Sequence, residues 1–339
     1  MIRRLETVGP SELAAFDMII DVRSPSEFAE DHLPGAVNLP VLDDAERAEV
    51  GTEYVQGSKF RARRHGAALV ARNIARHLER ALAEAPSGLK ALVYCWRGGQ
   101  RSHAMATIMD QVGWPVAVVD GGYRTWRRSV VFRLYERELD LKLVRLDGPT
   151  GVGKSAMLAR LSEAGVQTLD LEGLANHRGS LFGHMPGGQP SQKLFDSRLM
   201  AAIAGLDPTR SVVVEAESSR IGRVTLPASI WKAMSASPVV LLERSLEDRV
   251  ARILTDYADT ATDPQAIRAV LERMPRHHSK ARKAEWLDMV AEGRLADFVR
   301  AVIEEHYDPA YASSRRSVAD GPAVAADDLD AVRALVDPR

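Results

Sequence analysis

The chain has 339 residues, enough for two domains of ordinary size, and its 45% hydrophobic and 27% charged residues are typical of a globular protein. A formal net charge of −1 excludes a uniformly basic chain, so any RNA site has to be a local patch. No apolar run reaches the roughly 18 residues of a membrane span, and the N-terminus lacks the apolar core of a signal peptide. The single cysteine, Cys95, excludes an intrachain disulfide. These features predict a cytoplasmic protein without a membrane partner.

Apolar runs alternate with amphipathic helical patterns along the chain, which is typical of parallel α/β domains. The predicted strands are 18–22, 36–39, 91–94 and 116–119 in the first half and 141–146, 166–169, 211–214 and 239–242 in the second. We predict a helix over 66–85, a charged helical bridge over 125–140, and a tail after Ser313 that is either a short helix or poorly ordered. A boundary within the bridge gives two α/β domains, 1–135 and 136–339.

The third predicted strand runs into a glycine- and arginine-rich loop that begins with the cysteine. A strand–loop–helix turn points backbone N–H groups inward, and the helix N-terminus adds positive potential. Gly98 and Gly99 permit backbone angles that a side chain would forbid, while Arg97 and Arg101 add positive charge. Such surroundings are expected to lower the thiol pKa of Cys95 from about 8.5 to roughly 3.5–7.5. The loop therefore predicts a reactive thiolate rather than a buried structural cysteine.

Two further parts of the first half accompany this loop. Residues 21–28 (DVRSPSEF) with 32–40 (HLPGAVNLP) resemble the N-terminal signature of rhodanese-fold proteins, and 120–126 (DGGYRTW) resembles their closing element. The resemblance implies a rhodanese-like parallel-sheet domain in which Cys95 carries a transferable chalcogen. We interpret Asp21 and Arg23 as residues that stabilise this fold.

A complete Walker A motif, G-x4-G-K-S, lies between the strand 141–146 and a helical pattern, which is the context that the motif requires. Its glycines allow backbone N–H groups to wrap a phosphate group in a P-loop NTPase-like α/β domain, and its lysine neutralises the outer oxygens. The predicted phosphate-binding residues are Gly148, Thr150, Gly151, Val152, Gly153, Lys154 and Ser155. The strand 211–214 ends in Glu215, followed by Glu217, where Asp is commoner. If Mg²⁺ is used, Ser155 and Glu215 are its predicted ligands.

A rhodanese-like domain followed by a P-loop domain resembles the family of tRNA 2-selenouridine synthases over nearly the whole chain. The likeness is carried by the cysteine loop 94–99, the insertion 51–70, the blocks 178–183 and 189–193, and the acidic block 215–222, in which Ala216 replaces an expected acidic residue. The resemblance implies that the wobble 2-thiouridine of certain tRNAs is S-geranylated with geranyl diphosphate, and that selenium from selenophosphate then displaces the geranylthio group. It implies no tightly bound cofactor and no use of ATP. The implied partners are a tRNA with a 2-thiouridine wobble base and an enzyme that supplies selenophosphate.

Four local basic runs in a nearly neutral chain predict a tRNA-binding surface, because Lys and Arg contacts to phosphate supply most non-specific nucleic-acid affinity. The candidate RNA-binding residues are Arg61, Arg63, Arg64, Arg124, Arg178, Arg276, Lys280 and Lys283. Tyr123, Trp126 and Trp286 lie near the basic runs and are candidates to stack on an extruded base. Each run taken alone is equally compatible with a solvated helix face.

Two other classes of function are open from the sequence alone. Residues 95–101 also satisfy C-x5-R, and some dual-specificity phosphatases share the rhodanese fold, but a phosphatase does not account for the P-loop half. The other is a sulfurtransferase, or a rhodanese module without a catalytic role, attached to a small-molecule kinase. The intact Cys95 and the missing Arg-rich lid of kinases argue against the non-catalytic module.

Overall fold

The computed structural model describes residues 2–257, 264–274, 278–314 and 321–337, which form two compact units. The first unit is Met1–Glu138 with Pro190–Gly205, and the second is Leu139–Gln189 with Leu206–Arg339. The chain therefore leaves the first unit near the predicted boundary at 135/136. It returns for one segment that the sequence had placed in the second domain.

Both units combine parallel strands with helices. The strands are β1 (Arg3–Leu5), β2 (Met18–Asp21), β3 (Ala36–Asn38), β4 (Ala91–Tyr94), β5 (Val116–Val119), β6 (Lys142–Asp147), β7 (Gln167–Leu169), β8 (Ser211–Glu215), β9 (Arg220–Ile221), β10 (Val224–Thr225), β11 (Val239–Glu243) and β12 (Ala323–Ala325). The helices are α1 (Pro10–Leu13), α2 (Pro25–Glu30), α3 (Asp44–Gln56), α4 (Lys59–Glu79), α5 (Gln100–Val112), α6 (Tyr123–Val131), α7 (Lys154–Glu163), α8 (Leu171–Ala175), α9 (Gln192–Ala204), α10 (Ala228–Ala236), α11 (Leu246–Asp256), α12 (Pro264–Arg273), α13 (Lys280–Ala291), α14 (Leu295–Val302), α15 (Asp308–Ser314) and α16 (Leu329–Val336). Two π-helical turns, Phe132–Glu136 and Ile303–Tyr307, extend α6 and α14.

The first unit is built on a five-stranded parallel sheet in the order β1-β5-β4-β2-β3. Every residue of β4 and β5 is buried, as expected of central strands that helices cover on both faces. The helix predicted over 66–85 instead spans α4, because Ser58 caps its start by accepting a hydrogen bond from Arg61 N–H. This parallel sheet brings the carboxyl ends of β2 and β4, and hence the residues that follow them, to one edge.

Helix α9 belongs to the first unit because it makes buried polar contacts with α6. Trp126 Nε1 donates to Ser197 Oγ at 2.9 Å, and Arg127 Nη2 lies 2.6 Å from Asp196 Oδ2. Asp196 and Ser197 are almost completely buried, so their hydrogen-bonding capacity has to be met within the protein. The buried face of α9 mixes polar and apolar residues. The sequence therefore showed no hydrophobic stripe that would have assigned this helix to the first domain.

The second unit contains a five-stranded parallel sheet in the order β12-β11-β6-β8-β7 and a two-stranded antiparallel ribbon of β9 and β10. The tail adds the edge strand β12, in which Val324 pairs with Leu242, and the helix α16, whose Val332 and Val336 join the core. The prediction of a short helix was therefore right for 329–336, while the prediction of poor order was wrong for 321–337; residues 315–320 lie outside the described part. Helices α12, α13 and α14 form a second apolar cluster around Trp286. None of the described helices combines the length and hydropathy of a membrane span.

Candidate functional site

Cys95 lies at the carboxyl end of β4, immediately before the loop that leads into α5. Its sulfur accepts a hydrogen bond from Gly99 N–H at 3.2 Å and lies 3.3 Å from Ser102 Oγ. The residue is only 3% exposed. The Gly99 amide and the N-terminus of α5 form a cradle around the sulfur. The thiolate state of Cys95 stays a prediction.

The predicted closing element, 120–126, packs directly against the cysteine loop. Tyr123 N–H donates to Cys95 O at 2.8 Å, and Arg124 N–H donates to Trp96 O at 3.3 Å. Gly122 has φ +62°, and a Cβ added there would lie 2.2 Å from Cys95 O. Only glycine can adopt this backbone conformation in such close contact. Gly122 therefore allows the closing element to pack directly on the cysteine loop.

The two arginines of the loop have different surroundings. Arg97 is exposed, whereas Arg101 Nη1 pairs with Glu27 Oε2 at 3.1 Å. Burial of Glu27 opposes its ionisation, but the Arg101 and Arg47 guanidiniums outweigh burial and hold the pKa of Glu27 below its usual value. Activation of the thiolate by Arg97 and Arg101 stays a prediction, and Glu27 is the partner that sequence reasoning did not find.

Residues 21–23 (DVR) connect through Arg23 to Tyr123 of the closing element. Arg23 is 1% exposed, and its Nη2 contacts both Asp21 Oδ2 and Asp31 O at 2.6 Å. Its guanidinium stacks on the Tyr123 ring at 4.2 Å. Tyr123 in turn donates to Asp31 Oδ2 at 2.7 Å. These enclosed contacts fit the stabilising role that we assigned to Asp21 and Arg23.

The Walker A segment forms the loop between β6 and α7. Gly148, Gly151 and Gly153 have φ of +154°, +80° and +102°, which lets the loop turn tightly. Within it, Val152 N–H donates to Pro149 O at 3.1 Å. Lys154 is the first residue of α7, and its Nζ donates to Gly148 O at 3.0 Å. Two carbonyl oxygens of the loop accept hydrogen bonds from arginine side chains. Arg249 Nε donates to Thr150 O, and Arg244 Nε donates to Val152 O. A cavity of about 590 Å³ opens in front of the loop.

Three carboxylates meet beside this loop. One oxygen each of Glu172, Glu215 and Glu217 lies within 4.8 Å of the others, and Ser155 Oγ donates to Glu172 Oε2 at 3.2 Å. Burial, followed by repulsion from Glu215 and Glu217, raises the pKa of Glu172 to about 10. Burial and repulsion from Glu217 raise the pKa of Glu215 to about 7. We call these three residues the acidic cluster.

The acidic cluster fits a hard divalent cation. Both carboxylate oxygens of Glu215 are buried, and neither has a well-formed hydrogen bond within the described ranges. Carboxylate and hydroxyl oxygens are the ligands that Mg²⁺ accepts, so Glu172, Glu215, Glu217 and Ser155 would hold it. The ion would supply positive charge beside the phosphate oxygens. Sequence reasoning missed Glu172, although its place just after β7, beside the end of β8, is where parallel sheets bind ligands.

Two of the blocks that carried the family resemblance, 178–183 and 215–222, meet at the acidic cluster. Gly179 has φ +66°, and a Cβ there would lie 2.2 Å from Glu172 Oε1 and 2.7 Å from Glu217 Oε1. The Arg178 guanidinium, a candidate RNA contact, lines the phosphate cavity and stacks on the Tyr257 ring at 4.9 Å. These positions place block 178–183 in the wall of the phosphate site.

Three of the candidate RNA-binding arginines are exposed on α4. Arg61 Nε lies 3.6 Å from Glu53 Oε1, and the Arg63 guanidinium lies 5.9 Å from the Tyr54 ring. Arg64 is also exposed. This face remains a predicted tRNA contact.

The other candidates have mixed surroundings. Arg124 and Lys280 are exposed, whereas Lys283 Nζ donates to Met274 O at 3.0 Å and so holds the end of the preceding helical region. Arg276 lies outside the described residues. The notion that three aromatic residues stack on a base is wrong, because Tyr123, Trp126 and Trp286 are 3%, 0% and 0% exposed.

Comparisons with known proteins cover both units. A family model described as the tRNA 2-selenouridine synthase AAA domain matches residues 141–292, and one described as the rhodanese-like domain matches residues 9–129. The tRNA 2-selenouridine synthase of Bordetella petrii is 34% identical over 99% of this chain and 97% of its own length. The same-named protein of Pseudomonas syringae pv. syringae is 34% identical over 88% of each chain, and that of Pseudomonas syringae pv. tomato is 38% identical over 70% of this chain and 65% of its own. Among solved structures, a rhodanese-related protein from Thermoplasma volcanium matches 37% of this chain and 93% of its own at 17% identity, with a TM-score of 0.24, which is too low to add to the fold assignment.

Proposed function

Because this chain belongs to the tRNA 2-selenouridine synthase family, we propose that it is a transferase that replaces the sulfur of a wobble 2-thiouridine in tRNA with selenium. The observation that carries the proposal is the presence of two chemically different cradles in one chain. One holds the thiol of Cys95, and the other is a phosphate loop at 148–155. The expected fold class, a rhodanese-like domain followed by a P-loop domain, is confirmed.

We assign the first step to the phosphate loop. The sulfur of 2-thiouridine forms a bond to C1 of geranyl diphosphate, the C1–O bond breaks, and diphosphate leaves with the electron pair. Positive charge and N–H donors favour this departure, and Lys154 with the amides of Gly151, Gly153 and Ser155 supplies both. The donor already carries its leaving group, so the step has no energetic need for ATP.

We assign the second step to the cysteine loop. Selenophosphate carries selenium at the selenide level. Its selenium forms a bond to C2 of the uridine, the C2–S bond breaks with geranylthiolate as the leaving group, and water then cleaves the P–Se bond to release phosphate. We place this exchange at Cys95, the one thiol in the sequence, whose sulfur is held by Gly99 N–H beside the N-terminus of α5.

Mass spectrometry of tRNA nucleosides tests both assignments with purified protein, thiolated tRNA, geranyl diphosphate and selenophosphate. Cys95→Ser should form geranylated tRNA but no 2-selenouridine. Lys154→Ala should form neither, while Cys95 still reacts with iodoacetamide. Lys232→Ala, which replaces an exposed lysine of α10, is the matched control and should behave like the wild type. Full selenation by Cys95→Ser refutes the role of the cysteine, and strict ATP dependence of geranylation refutes the role of the P-loop.

The same preparation tests the phosphatase alternative. In a C-x5-R enzyme the arginine has to face the phosphate in the loop, but Arg101 pairs with Glu27. We therefore expect no release of p-nitrophenol from its phosphate ester. A rate that Cys95→Ser abolishes would support the phosphatase instead.

A further inference from the structure

An apolar cavity adjoins the phosphate cavity in the second unit. Its wall is formed largely by one face of α14, with Leu295, Phe298, Val299 and Val302, and by Ile267 of α12. Its accessible volume is about 70 Å³, several times the ~10–15 Å³ of such space that a cavity needs to hold one water molecule. The space is therefore more than a packing defect, and its lining offers water almost no hydrogen bonds.

The polar side chains of this lining lie where the two cavities meet. Thr150, Ser180, Tyr257 and Tyr307 border both the apolar cavity and the phosphate cavity, and the other lining residues within the described ranges are apolar, including Ile253, which also borders both. Ser180 Oγ and Tyr257 Oη are 2.8 Å apart, which closes part of the junction. The lining thus changes from charged to hydroxyl-bearing to wholly apolar over a short path.

We infer that the apolar cavity binds the hydrocarbon tail of a prenyl diphosphate whose head occupies the phosphate loop. This inference rests on the proposed function. It adds where the prenyl tail binds and which residues select the length of that tail. A nucleoside triphosphate fits poorly, because a purine in this cavity would leave its ring nitrogens without partners. A branched hydrocarbon loses nothing there and gains about fourfold in affinity for each methylene group that it buries.

The block 178–183 forms the boundary between head and tail. Arg178 and Gly179 line the phosphate cavity, whereas Phe182 lines the apolar one. The Phe182 and Phe298 rings pack edge to face with centroids 6.3 Å apart. Phe182 is consequently the residue that limits tail length, and the block has a specificity role that a nucleotide-binding P-loop domain does not require.

Isothermal titration calorimetry with three ligands tests the inference: inorganic diphosphate, dimethylallyl diphosphate and geranyl diphosphate. The wild type should bind geranyl diphosphate at least about tenfold more tightly than dimethylallyl diphosphate, and inorganic diphosphate most weakly. Equal affinity for geranyl and inorganic diphosphate overturns the inference.

Two substitutions separate the tail from the head. Val299→Phe fills the cavity and should weaken geranyl diphosphate at least tenfold while leaving inorganic diphosphate unchanged. Ala296→Phe, which adds the same ring at an exposed position of α14 outside the lining, is the matched control and should bind all three ligands normally. Phe182→Leu enlarges the cavity and should improve the affinity for farnesyl diphosphate relative to geranyl diphosphate. Unchanged relative affinities in both Val299→Phe and Phe182→Leu overturn the inference.

These measurements are independent of catalysis. If prenyl diphosphates bind through their tails but no tRNA is geranylated, the proposed function fails and the tail site stands. If tRNA is geranylated but Val299→Phe has the geranyl affinity of Ala296→Phe, the tail site fails and the proposed function stands.

Discussion

The close contact of Gly122 with the cysteine loop makes Gly122→Ala a sharp test of the cradle. A Cβ there would lie 2.2 Å from Cys95 O and 2.5 Å from Gly98 N, so the two segments have to separate. The matched control is Gly35→Ala, since Gly35 also has a left-handed backbone, with φ +73°, but a Cβ there meets nothing within 4 Å.

The expected costs differ for a physical reason. Gly35→Ala bears only the left-handed strain of about 1–2 kcal/mol. Gly122→Ala adds overpacking against backbone and weakens the 2.8 Å hydrogen bond from Tyr123 N–H to Cys95 O, for a total of about 3–6 kcal/mol. At about 2–4 °C per kcal/mol, thermal unfolding distinguishes the two variants.

Alkylation of the thiol reports whether the damage is local to the cradle. Cys95 is the one cysteine in the sequence, so the mass added by iodoacetamide reports on this site alone. We expect Gly122→Ala to change the alkylation rate severalfold, because the loop amide at Gly99 moves relative to sulfur, and Gly35→Ala to keep the wild-type rate. Equal losses of stability in the two variants, with an unchanged rate in both, would refute the packing described here.

Three further predictions concern charge. Glu172→Gln removes a carboxyl whose pKa is raised to about 10, so the wild type, unlike the variant, has to take up a proton here on folding at pH 7; the variant should therefore have a Tm in EDTA that is higher by about 2–4 °C and should lose part of the stabilisation that MgCl₂ gives the wild type, whereas no stabilisation of the wild type by Mg²⁺ would contradict the cluster's role. Burial raises the pKa of Asp31 above its usual 3.8, so its contribution to folding is present below the unfolded pKa and is lost as the pH rises through the folded pKa; urea unfolding should therefore show Asp31→Asn gaining stability relative to the wild type as the pH is raised from 3.8, and a constant difference would contradict it. The double variant Arg63→Ala, Arg64→Ala should weaken tRNA binding and reduce the slope of log K against log salt by about 0.7–0.9 per lost phosphate contact, whereas an unchanged slope would place α4 off the RNA path.

The central strands were predictable because burial on both faces leaves an uninterrupted apolar run. The predicted bounds of β4 and β5 coincide with those observed. The strands β1 and β12 were missed, since Arg3–Leu5 and Ala323–Ala325 are edge strands of three residues each with exposed positions, too short for a recognisable pattern. Such strands are fixed by pairing with β5 and β11, which a local pattern does not encode.

The candidate sites were predictable where the functional residues are contiguous in the sequence. The loop at Cys95 and the Walker A segment each carry their chemistry within one short stretch. Glu27, paired with Arg101, and Glu172, beside Ser155, lie far away in sequence and join their sites only through the fold. Pairing across such distances depends on strand order rather than on any motif.

The charge around the two cradles explains why they suit different ligands. The sulfur of Cys95 accepts a hydrogen bond from a backbone amide and lies beside a hydroxyl, and Arg101, which follows in sequence, is paired with Glu27. The phosphate loop faces the acidic cluster, and Lys154, Arg178 and Arg252 line the same cavity as two of its three carboxylates. A diphosphate would add negative charge beside these carboxylates, so a cation or protons at the cluster would favour its binding, in line with the raised pKa values of Glu172 and Glu215. These surroundings support our proposal that a polyanionic donor binds at the phosphate loop together with a divalent cation, and that the selenium chemistry takes place at Cys95.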